Sequence, residues 1–170
     1  MSITLNLYRL QQIDSRLDQV TNRLDAIRNA LENNAELKAA RLRQATAEAE
    51  VKEAEKSLKR AEEEAGSQRI KLEQAESSLY SGRIQNPKEL QDLQNDVASL
   101  KRRLATLEDN QLENMLALEE ARGQLENAQK NYLNTQGQVI STNASLQSEY
   151  DTLQKEAEKL AAQRQAVTPM

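Results

Sequence analysis

Several residue types are absent from this sequence, and each absence excludes a class of structure or chemistry. Among the 170 residues there is no cysteine, histidine, tryptophan or phenylalanine, and there are only four glycines and two prolines. Without cysteine the chain forms no disulfide, and without histidine as well it lacks the usual zinc ligands. Histidine is also the commonest general base, so the composition predicts a protein that is not an enzyme. Tyrosine is the only aromatic residue, and four tyrosines cannot close a large globular core.

Long apolar runs and a strong charge imbalance are also missing. No run is long enough to cross a bilayer, and the start, MSITLNLYRL, lacks the basic and apolar regions of a signal peptide. We therefore expect a cytoplasmic protein without membrane contact. The net charge is only −4, although 29% of residues are charged. Together with the periodicity described next, this composition favours ordered helix over disorder.

The apolar residues that are present recur with a heptad period. In the first half they alternate in steps of three and four, as the a and d positions of a coiled-coil seam do; they are Leu10, Ile13, Leu17, Val20, Leu24, Ile27 and Leu31. The pattern blurs between Asn34 and Glu50 and returns from Val51 one residue out of phase, which predicts a local change in the supercoil. In the second half a seven-residue repeat runs from Leu90 to Val167, interrupted at Gln111.

The middle of the chain, SLYSGRIQNPKELQDL, has the residues that end one helix and start another. Gly82 can adopt the left-handed conformation that follows a helix C-terminus. Asn86 is predicted to be the N-cap of the next helix, with Pro87 at its first position and Glu89 reaching back in a capping box. A loop this short requires the two helices to be antiparallel neighbours.

These patterns predict an all-α fold, a long antiparallel two-helix coiled-coil hairpin with a tip loop near residues 81–86. The hairpin would occupy residues 1–170 as a single domain, with arm one at about 3–80 and arm two at about 87–167. In this pairing the alanine-rich seam from Val51 to Ala65 would face Leu118 to Leu104, small residues against large ones. The alternative is one continuous helix through the middle of the chain, which complementary filling of the two seams disfavours.

Two sets of residues near the tip are candidate contact sites. The first is a docking surface formed by the tip itself, namely Tyr80, Ser81, Gly82, Arg83, Asn86, Pro87, Lys88, Glu89 and Leu90. The second is a basic contact for nucleic acid, formed by Lys101, Arg102 and Arg103. Interspersed acidic residues favour an ordinary solvated helix face for the second set. The acidic clusters Glu62–Glu64 and Glu108, Asp109 and Glu113 are likewise expected to be solvated surface, because two helices form no catalytic pocket.

Some leucines fall outside the seam of the hairpin. They are Leu37, Leu42, Leu112 and Leu116. A second apolar stripe of this kind would let two hairpins associate, so a homodimer is a further prediction.

Several stretches together resemble one bacterial protein family. LYRLQQIDSRLDQVTNRL at residues 7–24 and the segment 77–115, which contains LYSGR, NPKEL and LEDNQLENM, are similar to the bacterial C4-type zinc-ribbon proteins. In that family a coiled-coil hairpin precedes a small C-terminal zinc ribbon. The ribbon needs two pairs of cysteines, and this chain has none. The resemblance therefore implies zinc outside these residues, with no cofactor and no metal ligand in this chain.

The resemblance also implies what the protein does. It implies a cytoplasmic bacterial protein that acts by binding, with partners among nucleic acids, RNA-polymerase components such as the alternative sigma factor 54, and flagellar or type III secretion proteins. The prediction from the sequence is a non-enzymatic protein-interaction module or adaptor, a rigid coiled-coil scaffold linked to transcription or secretion. The alternative is a nucleic-acid binding protein that uses the basic tip together with the missing zinc ribbon.

Overall fold

The computed structural model describes residues 3–168 and contains three helices in that range. Helix α1 is Ile3–Glu32, α2 is Ala35–Tyr80 and α3 is Pro87–Val167. No strand occurs within residues 3–168. The predicted all-α coiled-coil hairpin is confirmed, with one difference: arm one consists of two helices, α1 and α2, separated by Asn33 and Asn34.

The chain divides into two compact units. The terminal unit contains Met1–Arg41 and Asn131–Met170, and within it the structure describes 3–41 and 131–168. The tip unit contains Leu42–Lys130. Each unit therefore pairs a segment of arm one with a segment of α3.

Ion pairs fix the antiparallel register within the tip unit. Glu55 pairs with Arg122 at 3.7 Å, Arg69 with Glu108 at 3.0 Å, and Glu76 with Lys101 at 3.2 Å. From Arg69 to Glu76 the number rises by seven on α2, while from Glu108 to Lys101 it falls by seven on α3. Whole heptads on each helix separate successive pairs, two from Glu55 to Arg69 and one from Arg69 to Glu76, as an antiparallel coiled coil requires.

The terminal unit shows the same heptad steps. Arg16 pairs with Glu156 at 2.7 Å, and seven residues further along α1 Arg23 pairs with Glu149 at 2.8 Å. Both arginines bind their carboxylate through two nitrogens, the geometry that gives ion pairs their directional specificity. Hydrogen bonds from Arg16 and Arg23 hold the pKa of Glu156 and Glu149 below its ordinary value.

The core of the tip unit joins small residues on α2 to larger ones on α3. Val51 packs with Leu118 and Ala121, and half-buried apolar residues surround this cluster: Ala54, Leu58 and Leu125. Ala61 and Ala65 are also buried on α2. The predicted facing of Val51 and Leu118 is therefore present, and it is the small-to-large filling that keeps the interior densely packed.

A buried polar side chain lies in the same seam. Gln68 is only 8% exposed, and its amide nitrogen donates a hydrogen bond to the carbonyl oxygen of Leu100 at 3.3 Å. It follows Ala65 by three residues and precedes Leu72 by four, so it occupies a seam position that no apolar pattern reveals. A single buried polar residue of this kind specifies register at some expense of stability.

The break in arm one is where the register changes. Near the break, every third residue is at least partly buried: Leu31, Asn34, Leu37 and Ala40. A regular seam alternates steps of three and four residues, so this stretch is one residue short. Asn33 caps the new helix by accepting a hydrogen bond from the amide of Ala35 at 3.2 Å. The phase change thus coincides with two non-helical residues, and the change in the supercoil stays a prediction. Beyond the break the seam continues through Ala40, Gln44 and Ala47.

Candidate functional site

The tip begins where α2 ends, and a glycine makes that ending possible. Helix α2 stops at Tyr80, and Gly82 has a φ of +71°, in the left-handed region that L side chains rarely adopt. The Ser81 hydroxyl donates a hydrogen bond to the carbonyl oxygen of Ser78 at 2.9 Å. The Arg83 amide in turn donates to the Ser81 hydroxyl oxygen at 3.4 Å. Ser81 and Gly82 therefore end the helix, as the sequence predicted for Gly82.

Asn86 and Pro87 start α3. The Asn86 side-chain oxygen accepts a hydrogen bond from the Lys88 amide at 3.0 Å, and its carbonyl accepts one from the Leu90 amide at 3.0 Å. Pro87 occupies the first helical position, where an amide hydrogen has no partner in the helix. Glu89 makes no hydrogen bond back to Asn86 in the described part of the chain, so the predicted capping box is not formed. Its carboxylate stays exposed in the first turn, where the helix dipole favours it.

A shallow groove lies between the end of α2 and the beginning of α3. Tyr80 lines it and is 80% exposed. Lys101 also lines the groove and pairs with Glu76. We call this surface the tip groove; its lining residues are Leu79, Tyr80, Leu90, Gln94, Val97, Ala98 and Lys101.

The tip groove combines some of the predicted docking residues with others that sequence patterns did not single out. Tyr80 and Leu90 line it, whereas the other predicted tip residues form the exposed turn: Ser81, Gly82, Arg83, Asn86, Pro87, Lys88 and Glu89. Gln94 and Ala98 were not predicted. Their signal was available, because they lie four and eight residues after Leu90 and therefore on nearly the same face of α3.

The three basic residues proposed for nucleic acid do not form one surface. Lys101 lines the tip groove and pairs with Glu76. Arg103 lines a separate shallow groove, together with Arg60 and Lys71 and with the carboxylates of Glu63 and Glu64. Arg102, between them, is exposed. Consecutive helical residues point in directions about 100° apart, so these three side chains spread around α3.

The described residues contain no cluster of side chains that could hold a metal ion. Within residues 3–168 no group of three or more acidic side chains comes together as a metal site. No thiol or imidazole exists anywhere in the sequence, so the zinc of the resemblance has no fitting ligands in this chain. None of the helices described is long and apolar enough to cross a membrane. What the tip offers chemically is a contact surface lined by an aromatic ring and by a lysine that is held in an ion pair.

Comparison with known proteins identifies the family of the hairpin. Residues 10–170 match the family described as CT398-like coiled coil hairpin domain, and this range includes the tip and nearly all of both arms. A search of curated proteins gives no match. The family match concerns the hairpin, and it leaves the zinc-ribbon part of the resemblance as a prediction. On the strength of a match over almost its full length, the chain belongs to the CT398-like coiled coil hairpin domain family.

Proposed function

We propose that this chain is a non-enzymatic interaction scaffold that docks a protein partner through the tip groove. The observation that carries the proposal is the exposure of Tyr80 beside apolar Leu79, Leu90 and Val97. Tyrosine supplies a large contact area at little cost in conformational entropy and is enriched at the centres of protein interfaces. A short segment with an apolar anchor side chain is the occupant that fits such a groove.

The family resemblance supplies the partner classes of this proposal. They are the alternative sigma factor 54 and components of flagellar or type III secretion, in a cytoplasmic bacterial setting. An adaptor in transcription or secretion needs no chemistry of its own, which agrees with the residue types that this chain contains.

No observation favours the nucleic-acid alternative in the same way. Electrostatic binding to phosphates requires several cations acting on one surface. Lys101 and Arg103 line different grooves. Arg103 shares its groove with Arg60 and Lys71, but Glu63 and Glu64 line the same groove, Lys101 pairs with Glu76, and the net charge is −4. We therefore assign the tip to a protein partner.

The test compares two exposed tyrosines. Purified sigma factor 54 and purified secretion components are titrated against the full 170-residue chain, against Tyr80→Ala and against the control Tyr8→Ala, whose ring is also exposed but lies in the terminal unit. We expect one of these partners to bind, and Tyr80→Ala to weaken it by about tenfold or more, a typical effect for an aromatic anchor. Tyr8→Ala should bind like the parent.

Two results would contradict the proposal. Equal affinities for the two alanine variants would remove the tip groove from the interface. Salt-dependent binding of RNA or DNA that disappears on charge reversal at Lys101, Arg102 and Arg103 would favour the nucleic-acid alternative instead.

A further inference from the structure

Three large apolar side chains of the tip unit face solvent on α3. Leu112 is 56% exposed, Met115 48% and Leu116 65%. Spacings of three and four residues bring them together on one face of the helix. The seam lies on another face, since Leu107 and Leu118 are buried. We call these three residues the outer patch.

The outer patch has an acidic border. Asp109, Glu113 and Glu120 follow one another along one side of it at spacings of four and seven, and Glu119 lies one turn beyond Met115 and Leu116. No ion pair joins any of these four carboxylates to another residue within 3–168. The nearest cation along the helix, Arg122, pairs with Glu55.

The register of the tip unit adds a further acidic residue on the other side. Arg69 pairs with Glu108, and Glu55 pairs with Arg122. Midway between these two pairs, one heptad from each, the register places Glu62 opposite Met115. The outer patch therefore has carboxylates on both of its flanks.

We propose that the outer patch docks a short, basic amphipathic helix of a partner protein. Apolar residues at i, i+3 and i+4 are the contacts that one helix makes with another, and carboxylates on both flanks complement lysine or arginine beside the apolar stripe of the partner. A second copy of this chain would bring like charges together across the same stripe. Lipid surfaces and nucleic acids are commonly anionic, and the same border repels them.

This second docking surface rests on the proposed role in protein interaction but not on the tip groove. The groove and the patch share no residue. Variants at Tyr80 should leave binding at the patch unchanged, and variants at the patch should leave the tip unchanged. Failure of one surface is thus distinguishable from failure of the other.

The probe is a synthetic peptide of about 18 residues, or five helical turns, with leucine on one face and lysine elsewhere. Its binding to the full chain is followed by fluorescence anisotropy. We expect Leu112→Gln with Leu116→Gln to weaken binding by about tenfold or more, equivalent to about 1.4 kcal/mol. Asp109→Asn with Glu113→Gln and Glu120→Gln should also weaken binding and flatten its dependence on salt.

The chain contains matched controls. Leu133 and Ile140 lie on the terminal-unit part of α3 and are about as exposed, at 64% and 63%. The double variant Leu133→Gln with Ile140→Gln should bind the peptide within about twofold of the parent. Circular dichroism checks that every variant is folded, and the exposure of the replaced side chains predicts that it is.

Several outcomes would overturn the proposal. The first is unchanged binding after Leu112→Gln with Leu116→Gln, because attraction would then be electrostatic alone. The second is equal binding by a peptide of the same composition with its leucines scattered around the helix, or by one with glutamate in place of lysine. The third is concentration-dependent dimerisation of the parent in sedimentation equilibrium that the same leucine substitutions abolish, since the patch would then bind a second copy.

Discussion

The backbone at residue 82 shows how much a single conformation contributes to the hairpin. Gly82 has a positive φ, and no atom lies within 4 Å of where a β-carbon would be. The cost of a side chain there is therefore conformational, not steric. We expect Gly82→Ala to lower the free energy of unfolding by about 1–2 kcal/mol.

Gly123 provides the opposite case within α3. A β-carbon there also meets nothing, but the backbone is helical. Gly123→Ala should raise the free energy of unfolding by about 0.5–1 kcal/mol, because alanine restricts the unfolded chain and favours helix. Urea denaturation followed by circular dichroism measures both changes. If Gly82→Ala leaves the free energy of unfolding unchanged or raises it, as Gly123→Ala is expected to do, Gly82 does not end α2 in the way described.

Two carboxylates of the terminal unit predict how stability depends on pH. Arg23 and Arg16 lower the pKa of Glu149 and Glu156 from an ordinary value near 4.5. The folded state therefore favours the charged form, and this contribution is complete above pH 4.5 and lost as pH falls through the lowered pKa values. Both pairs are exposed, so the effect is small.

The corresponding variant is Glu149→Gln with Glu156→Gln. We expect its melting temperature to lie below that of the parent at pH 7 and to lie closer to it at pH 3, because the parent progressively loses the same charges as pH falls below 4.5. Glu119→Gln with Glu120→Gln removes two carboxylates that form no ion pair within residues 3–168 and serves as the control. A gap between parent and variant that is equally large at both pH values would show that the arginine pairs are not its source.

At the scale of the helices, the features that depend on local residues could be predicted from the sequence. The features that depend on how the helices pair could not. Gly82, Asn86 and Pro87 define the tip through their own backbone preferences, so they could be read without a structure. In the sequence, the break at Asn33 appeared only as a loss of the heptad pattern between Asn34 and Glu50. Neither asparagine there is a strong breaker, and the seam residues Ala40, Gln44 and Ala47 beyond the break are small or polar.

The same limit applies to the site residues. Gln68 has no apolar signal, and its burial depends on what α3 places opposite it. Lys101, Arg102 and Arg103 looked like one cluster because they are consecutive, whereas helical geometry separates their side chains. Tyr80 could be predicted at the tip, but its exposure and the groove beside it depend on where α3 begins.

For the whole molecule, the pairing of arms within one chain is open to direct test because the protein has no cysteine of its own. Cysteines introduced as Glu55→Cys with Arg122→Cys, or as Glu76→Cys with Lys101→Cys, replace residues that touch across the tip unit. A short bismaleimide reagent should join each pair within one chain at low protein concentration. Denaturing gel electrophoresis would show a faster-migrating monomer.

A mismatched pair tests the register. Glu55→Cys with Lys101→Cys displaces one partner by three heptads, or about 30 Å along the helix, so the same reagent should not join these positions. Covalent dimers from the matched pairs would contradict the intramolecular hairpin. Efficient joining of the mismatched pair within one chain would contradict the heptad register.

The break at Asn33 and Asn34 also determines where a hairpin of this kind can change in length. Inside a helix, gaining or losing one residue rotates everything beyond it by about 100° and turns the seam away from its partner. At a break with its own cap, the next helix can begin in a new phase, as α2 does relative to α1. Among related hairpins we expect single-residue insertions and deletions to collect at this point and at the tip, while the uninterrupted helices differ by whole heptads removed from both arms together.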